Sequence, residues 1–174
     1  SSGGALSCTS VTCLLVESSS FISCKANGYG GAIYFYNANS GQCVLHEVCG
    51  YDCCSTSSNS NGQFSFITVY DVVSNKNYAN YSSISRCVSD ISNSYNPMRH
   101  QNGKICFPSV NISLNKCYYQ SGIICRPYKE SNSVTCSLSC STFADNIATE
   151  DTCIALWSTG TKHEIKSCNI LRNT

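Results

Sequence analysis

The chain has 174 residues, which is enough for one domain with a sizeable core, and only 12% of them are charged. The formal net charge is +1, with no basic run and no acidic tail, which disfavours nucleic acid or an anionic membrane surface as the main partner. Helix formers are scarce and Ser, Asn, Thr, Gly and Tyr provide the polarity, so the composition indicates an all-β protein.

Two similar turn-and-strand segments lie in the first part of the chain. "SGGALSC" begins at Ser2 and "YGGAIYF" begins at Tyr29, an offset of 27 residues. Asn and Gly tolerate positive φ at low steric cost, and the β-branched and aromatic residues that follow suit a pleated surface. Each glycine pair therefore predicts a tight corner that leads into a strand.

A second pattern recurs along the chain: an apolar residue, two variable residues, then Cys or Asn, with Tyr51-x-x-Cys54 as one example. We place its apolar anchors at Phe21, Tyr51, Ile84, Leu114, Phe143 and Ile165, which gives steps of 30, 33, 30, 29 and 22 residues. Short strand-like segments flank most anchors. A repeat of this length is typical of a solenoid, whereas a propeller blade needs about 40 residues.

These repeats predict a right-handed parallel β-helix of about six coils, rich in disulfides. We expect residues 1–174 to form a single β-helix domain, and because the chain begins and ends within the repeat pattern we expect it to be a fragment of a longer repeat protein. The long step after Cys87 predicts a side loop at residues 88–103.

The two motifs together resemble the repeats of the chlamydial polymorphic outer-membrane proteins and of Cys-rich surface proteins of parasitic protists. Residues 3–6 and 30–33 match the GGA-[ILV] motif, residues 143–146 match F-x-x-N in full, and residues 21–24 carry Cys in place of Asn. The motif residues are Gly3, Gly4, Gly30, Gly31, Phe21, Phe143 and Asn146. The resemblance implies a parallel β-helix displayed on a surface and used in adhesion.

The chain contains 15 cysteines but only three histidines, and the close cysteine pairs have no second cluster at zinc-finger spacing. We therefore favour disulfides over zinc, expect no metal or cofactor, and expect an extracellular, secreted or cell-surface location. Cys13 and Cys43 each precede an anchor by eight residues and should stack on adjacent coils. The same argument pairs Cys24 with Cys54, Cys87 with Cys117, and Cys106 with Cys125. The alternative is that these residues stay reduced as core-filling thiols.

Other candidate sites carry weaker signals. Glu17 and Glu47 each precede an anchor by four residues, so they could stack as a carboxylate pair of the kind that glycosidases use. The acidic residues near Asp145 could hold calcium, although their spacing matches no calcium loop. The sequons at Asn80 and Asn111 predict N-glycosylation in a eukaryotic source.

We therefore expect a non-catalytic extracellular scaffold that acts in adhesion or in an extracellular fibre. The expected partners are host or self surface proteins or glycans, with end-to-end self-association through open coil ends, no nucleic acid and no membrane insertion. One alternative is an enzyme that acts on polysaccharide. Another is a carbohydrate-binding module with an exposed aromatic stripe, for which Tyr34, Tyr36 and Tyr70 are the candidates.

Overall fold

The computed structural model describes residues 1–87, 94–129, 132–158 and 160–174. Within these ranges short strands alternate with tight turns, and no helix is present. It follows that no helix able to cross a membrane is found in the described part of the chain. The strands recur in a fixed order, and each cycle of strands is called a coil below.

The strands have the following bounds along the chain. Coil 1 contains β1 (Leu6–Thr9), β2 (Cys13–Glu17), β3 (Ser20–Ile22) and β4 (Lys25–Ala26), and coil 2 contains β5 (Ile33–Tyr36), β6 (Gln42–His46), β7 (Cys49–Tyr51) and β8 (Cys54–Ser55). Coil 3 contains β9 (Ser65–Thr68), β10 (Lys76–Asn80) and β11 (Ser83–Ser85). Coil 4 contains β12 (Met98–Gln101), β13 (Lys104–Pro108), β14 (Asn111–Ser113) and β15 (Lys116–Cys117). Coil 5 contains β16 (Ile123–Arg126), β17 (Val134–Ser139), β18 (Thr142–Ala144) and β19 (Ile147–Ala148), and coil 6 contains β20 (Ile154–Leu156), β21 (Lys162–Lys166) and β22 (Asn169–Leu171).

Three parallel sheets run the length of the molecule, each with six strands. The first sheet has the order β1-β5-β9-β12-β16-β20, the second β2-β6-β10-β13-β17-β21, and the third β3-β7-β11-β14-β18-β22. Two further pairs, β4 with β8 and β15 with β19, extend the wall beyond the third sheet. The predicted parallel β-helix is confirmed, because in each of the three long sheets the strands pair in parallel from one coil to the next.

The core is a set of inward-facing columns. Along β6 and β13 every second residue is buried, as the two-residue period of a strand requires. Phe35 from the first sheet, Leu45 and Phe107 from the second, and Ile112 and Phe143 from the third have no exposed surface. Burying these side chains is the main favourable term in folding.

The glycine pairs form the corner that leads into the first sheet. Gly30 has a φ of 65°, and its N–H donates to the carbonyl of Asn61 in the next coil at 3.1 Å. The neighbouring Gly31 lies so close to the carbonyl oxygen of Gln63 that a Cβ atom would collide with it. The GGA motif therefore reflects both a left-handed turn and a close approach of two coils.

A second corner follows the third sheet and carries one polar column, which we call the corner column. Its members lie three residues after the inward-facing anchors of the third sheet and are Cys24, Cys53, Cys87, Asn115, Asn146 and Asn173. The residue before each member has a positive φ; these residues are Ser23, Asp52, Arg86, Leu114, Asp145 and Arg172. Each coil therefore makes the same sharp bend at this place without glycine.

Hydrogen bonds parallel to the solenoid axis join the asparagines of the corner column. The Nδ2 of Asn115 donates to the Oδ1 of Asn146 at 3.0 Å, and the Nδ2 of Asn146 donates to the Oδ1 of Asn173 at 2.9 Å. The Nδ2 of Asn146 also donates to the carbonyl of Ile112 in the preceding coil at 2.8 Å. Such a ladder satisfies the backbone groups that the bend removes from the sheet.

The predicted anchor at Tyr51 is wrong by one residue. Gly50 is in register with Phe21 and Ile84, whereas Tyr51 points outward and is 43% exposed. A Cβ atom on Gly50 would lie 2.5 Å from the ring of Phe64, so the glycine leaves the space that this ring fills. An aromatic side chain from the corner before β9 thus fills this part of the core, and the sequence pattern does not show this.

The anchors at Leu114 and Ile165 are also wrong. Ile112 is the inward residue of β14, while Leu114 has a φ of 58° and is exposed. In the last coil Ile170 is in register with Phe143, and Ile165 belongs to the second sheet. In both coils an apolar residue other than the inward-facing one matches the sequence pattern.

The predicted side loop at residues 88–103 is wrong over its second half. Residues 98–101 form β12, which pairs with β9 and β16 at the centre of the first sheet. Met98 and His100 point inward and are fully buried, while Arg99 and Gln101 are only partly covered. A strand that buries a histidine does not show the expected apolar alternation. Residues 88–93 lie outside the described residues.

Substituting Asn146 with Ala should destabilise the chain by about 3 kcal/mol, because buried backbone and amide groups of two neighbouring coils lose their partners. Asn146 is fully buried, and its Oδ1 accepts from both the N–H and the Nδ2 of Asn115. Urea unfolding followed by circular dichroism measures the change. The control is Asn169→Ala on the exposed face of β22, for which we expect less than about 0.5 kcal/mol. Equal effects of the two substitutions would contradict the ladder.

Candidate functional site

One outward-facing column at the end of the first sheet gathers polar and aromatic side chains. Tyr36, Thr68, Gln101 and Arg126 are in register on four successive strands. Trp157 continues the column, since its N–H donates to the carbonyl of Cys125 at 2.9 Å. Thr9 of the first coil is in register with Tyr36, so from coil 2 to coil 6 the column has polar groups between two aromatic residues.

Unequal loop lengths turn this column into a groove. Residues 69–75 connect β9 to β10 and residues 127–133 connect β16 to β17, whereas only residues 102–103 connect β12 to β13. The short connection lies between the two long ones, so Asn102 lies at the floor, while Asp71 in one long connection and Pro127 and Lys129 in the other lie at the walls. The groove has a volume of about 790 Å³. That size suits a small ligand or a short segment of a polymer.

The groove offers mixed chemistry. Of the described residues, Tyr36, Ala38, Thr68, Asp71, Gln101, Asn102, Arg126, Pro127, Lys129, Trp157 and Ser158 line it. The aromatic rings of Tyr36 and Trp157 are each 46% exposed. Arg126 and Lys129 are exposed cations opposed by the carboxylate of Asp71. The lining is therefore slightly positive and rich in hydrogen-bonding groups.

An aromatic cluster borders the groove on the same face of the sheet. The rings of Tyr34 and Tyr36 stack at 6.4 Å, and those of Tyr34 and Phe66 stack at 5.6 Å. The guanidinium of Arg99 lies 5.7 Å from the centre of the Phe66 ring. Partial burial, together with the neighbouring tyrosines, raises the pKa of Tyr34. Two of the three tyrosines predicted as an aromatic stripe thus come together, whereas Tyr70 does not line the groove.

A buried histidine supports the floor from inside the solenoid. The Nδ1 of His100 lies 2.6 Å from the Oδ1 of Asn77, whose Nδ2 donates to the carbonyls of Gln101 and Asn102 at 2.9 and 3.1 Å. Because the amide oxygen accepts, we assign the proton to Nδ1 of the histidine. Burial lowers the pKa of His100 to about 3, so the ring is neutral. Neither residue was predicted from the sequence, because each occupies a position where an apolar residue was expected.

The register separates the predicted pair Cys13 and Cys43, so this stacking is wrong. Cys13 is in register with Gln42, whose Nε2 lies 3.1 Å from the Cys13 sulfur, and Cys43 is in register with Leu14. Burial raises the pKa of Cys43. This pair was predicted wrongly because its position was counted from Tyr51, which is one residue after the true anchor of coil 2.

The same error affects Cys24 and Cys54. Cys54 is in register with Lys25, so the position in coil 2 that corresponds to Cys24 is Cys53. Cys53 is fully buried. The predicted stacking of Cys24 on Cys54 is therefore wrong, and the structure replaces Cys54 with its neighbour.

The other two predicted stacked pairs are also wrong. Cys87 is in register with Asn115, and its N–H donates to the Oδ1 of that residue at 2.9 Å, whereas Cys117 lies two residues farther along. Cys106 is on the outer face of the second sheet, while Cys125 is buried in the first sheet. No disulfide bond is formed among the described residues.

A pair of buried thiols was not anticipated. Cys136 faces Cys125 from the next strand of the same coil, and hydrogen bonds from Cys125 and His163 lower the pKa of Cys136 to about 6. Desolvation raises the pKa of Cys125 strongly. The two residues lie on neighbouring strands of one coil, so the repeat spacing between coils does not predict their contact.

The two predicted glycosylation sites differ in accessibility. Asn111 is exposed at the start of β14, and Asn80 is half-buried at the end of β10. The hydroxyl of Ser82, the third residue of the first sequon, donates to the carbonyl of Asn80 at 2.9 Å and is buried. N-glycosylation stays a prediction at both residues, and Asn111 is the more accessible of the two.

The acidic residues do not form the arrangements considered from the sequence. Glu17 is in register with His46, whereas Glu47 lies at the following corner and accepts a hydrogen bond from Ser18 at 3.0 Å. Asp145 pairs with Arg172 at 2.6 Å, which lowers the pKa of its carboxyl. No group of three or more His, Cys, Asp or Glu side chains that could hold a metal ion is found in the described ranges.

Comparisons with known proteins do not identify the chain. No protein-family model matches it, and neither a curated protein nor a solved structure matches it.

The neutral, buried His100 should make the protein less stable in acid. Its folded pKa of about 3 lies below the ordinary value of 6.5, so the unfolded state binds a proton first as the pH falls. The stability is complete above pH 6.5 and declines by about 1.4 kcal/mol per pH unit between pH 6 and pH 3. Urea unfolding across this pH range measures the slope.

The control for this prediction is His100→Asn, which keeps an N–H donor for the Oδ1 of Asn77 and does not titrate. The difference in unfolding free energy between wild type and variant isolates the histidine from the other acidic groups. An identical pH slope in the two proteins would contradict a buried neutral ring.

Proposed function

We propose that this chain is a non-catalytic extracellular or cell-surface scaffold that acts in adhesion, and that the groove on its first sheet binds a saccharide. The observation that carries the proposal is the pair of exposed aromatic residues, Tyr36 and Trp157, which flank the polar residues of the groove. Tyr36 lies on β5, and Trp157 directly follows β20 with its N–H bound to Cys125, so the backbone at both rings is already ordered and little conformational entropy is lost when a ligand stacks on them.

A saccharide fits the groove better than an apolar ligand. Sugar rings have apolar faces that pack on aromatic side chains, and hydroxyl groups that need donors and acceptors at their edges. The side chains of Gln101 and Asn102 provide both kinds of group, and Thr68 donates to the Oε1 of Gln101 at 3.3 Å, which fixes the orientation of that amide. The amide nitrogen of Gln101 is then able to donate a hydrogen bond to a sugar hydroxyl.

The charges favour an acidic saccharide. Arg126 and Lys129 contribute two positive charges, while Asp71 contributes one negative charge. Guanidinium groups bind carboxylate and sulfate with two parallel hydrogen bonds. A uronate or a sulfated sugar is therefore the ligand class that best matches the lining.

Binding without cleavage agrees with the composition of the groove. Glycosidases use two carboxyl groups about 5 to 9.5 Å apart. Of the described residues that line the groove, Asp71 alone carries a carboxylate. We therefore propose a recognition site in place of a polysaccharide-cleaving site.

The extracellular part of the proposal is supported by the sequence. The 15 cysteines and the low share of charged residues are typical of secreted repeat proteins, and the GGA and F-x-x-N motifs resemble those of surface adhesins. A solenoid of this kind presents its loops along a rigid rod, which suits display to a partner.

A second candidate function is fibre formation by end-to-end association. In the first coil the inward-facing residues Leu14 and Phe21 are only partly buried, and in the last coil the inward-facing residues Ile165 and Ile170 are 46% and 52% exposed. Both end coils have unpaired strand edges as well. Head-to-tail stacking would cover both surfaces, and such an interface is open and can continue indefinitely.

Replacing Tyr36 or Trp157 with Ala should weaken saccharide binding at least about tenfold, or about 1.4 kcal/mol, because each ring loses its stacking contact. Isothermal titration with uronate-containing, sulfated and neutral oligosaccharides measures this effect. Arg126→Ala should weaken binding of the acidic oligosaccharides alone. The matched control is Tyr51→Ala, an exposed tyrosine on the third sheet that should leave binding unchanged.

The absence of binding to all three oligosaccharide classes would contradict the proposed groove function, as would equal losses in the control and the groove variants. Chromatography of the oligosaccharides after incubation distinguishes recognition from cleavage. Shortened products would overturn the non-catalytic assignment.

A further inference from the structure

Three cysteines occupy successive positions of the corner column. Cys24, Cys53 and Cys87 follow the in-register anchors of coils 1, 2 and 3 by three residues each. Coils in register stack about 4.8 Å apart, which falls within the Cα separation that a disulfide allows. Cys53 therefore has a potential disulfide partner on each side.

The thiols take the place of the asparagine side chains in the first half of the column. The Sγ of Cys53 donates to the carbonyl of Phe21 in the preceding coil at 3.4 Å, just as the Nδ2 of Asn115 donates to the carbonyl of Ile84 at 3.2 Å. The Sγ of Cys53 also lies 3.4 Å from the carbonyl of Tyr51. The thiols are thus held in line along the solenoid axis.

Exposure decreases along the three thiols. Cys24 is partly exposed in the end coil, whereas Cys53 and Cys87 have no exposed surface. A reagent in solution therefore reaches the column through Cys24.

Hydrogen bonds give the middle thiol a different acidity from its neighbours. A hydrogen bond from the Cys87 thiol, supported by the backbone of Cys24, lowers the pKa of Cys53 to about 7. Desolvation raises the pKa of Cys24 and, more strongly, that of Cys87. Cys53 is therefore the most acidic of the three thiols.

We propose that the first three positions of the corner column form an oxidation site, in which Cys24 captures a low-molecular-weight disulfide and Cys53 closes an inter-coil disulfide with Cys24. Cys87 stays a thiol and acts as a positioning residue for Cys53. This inference goes beyond the adhesion function and does not depend on the groove.

The reaction proceeds in two balanced steps with glutathione disulfide as the oxidant. The sulfur of Cys24, after losing its proton, attacks one sulfur of glutathione disulfide; a Cys24–glutathione bond forms, the original bond breaks, and one glutathione leaves as a thiolate that takes up a proton. The Cys53 thiolate then attacks the Cys24 sulfur, and the second glutathione leaves in the same way. Two cysteine thiols are oxidised and one glutathione disulfide is reduced to two thiols.

The resulting bond would tie coil 1 to coil 2. In coil 1 the anchor Phe21 is only half-buried and contacts the core through the edge of the Phe64 ring, with centroids 5.9 Å apart. A covalent link at the corner restrains the end coil from unfolding separately from the rest of the solenoid. Oxidation should therefore raise the midpoint of thermal unfolding.

The test incubates the reduced chain with glutathione disulfide, blocks the remaining thiols, and maps linked peptides in a non-reducing digest by mass spectrometry. Wild type should give a Cys24–Cys53 peptide. Cys53→Ser should retain glutathione on Cys24, and Cys24→Ser should leave Cys53 and Cys87 as thiols. Cys49→Ser, on the exposed face of β7, should behave as wild type.

Several outcomes would overturn the proposal. These are a Cys53–Cys87 peptide as the main product, glutathione retained on Cys24 of wild type, and modification of Cys53 in Cys24→Ser. Because Cys24 lies at the partly exposed end of the column, Cys24→Ser is expected to fold and keeps the test decisive if Cys53→Ser does not.

The positioning role of Cys87 is tested by two variants. Cys87→Ser keeps a donor for the Cys53 thiolate and should close the Cys24–Cys53 bond at a rate close to that of wild type. Cys87→Ala removes the donor and should slow release of the second glutathione several-fold. Equal rates for the two variants would show that Cys87 only fills space.

Discussion

The hydrogen bonds that run along the corner column set the register of the whole solenoid. Each sharp bend after the third sheet takes backbone groups out of the ladder of strands, and the side chains of the column provide their replacement partners. Since each of these bonds connects one coil to the next, a one-residue slip at the corner would break several of them together. The register of all three long sheets depends on this constraint.

The column changes chemistry halfway along the molecule. Its first three members are cysteines and its last three are asparagines, yet Cys53 and Asn115 donate to equivalent carbonyls of the preceding coil. The Cys53 thiol thus donates at the place where the amide does, whereas the thiols of Cys24 and Cys87 contact the carbonyls of Ile22 and Ser85 in their own coils. The thiols also add reactivity, because two neighbouring thiols can be oxidised to a disulfide.

A fixed register leaves the connections between sheets free to vary. The connection after the first sheet has two residues in coil 4 and seven in coil 3, with no change in the pairing of the strands. The groove is a direct result of this variation. The buried contact between His100 and Asn77 then holds the short connection in place beneath it. Scaffold and site are therefore specified by different residues.

The sequence predicted the parallel fold because turn chemistry and strand patterns repeat along it. The glycine pair at residues 30–31 and the F-x-x-N segment at residues 143–146 lie at the corners where they were expected. The exact register could not be predicted, since Gly50 occupies an anchor position and Phe64, which lies just before β9, fills its space. Likewise β12 was not predicted, because its inward-facing His100 is stabilised by Asn77, which is distant in sequence.

The groove was predictable only in part. Tyr34 and Tyr36 were candidates from the sequence, but Trp157 and Arg126 join them through stacking of coils that are far apart along the chain. The cysteine pairs were predicted wrongly for a related reason. An error of one residue in the position of an anchor shifts every cysteine pair whose position is counted from that anchor. Local patterns define the fold class, whereas sites between coils require the register.

The register of coil 2 is the most direct test of this account, and nuclear Overhauser effects in an isotope-labelled sample measure it. This register predicts contacts between the α protons of Gly50 and the ring of Phe64, whose atoms approach this position most closely. It also predicts that the outward-facing ring of Tyr51 shows no contact with Phe64. Contacts between the rings of Tyr51 and Phe64, without contacts from Gly50, would contradict the register and with it both the corner column and the alignment of the thiols.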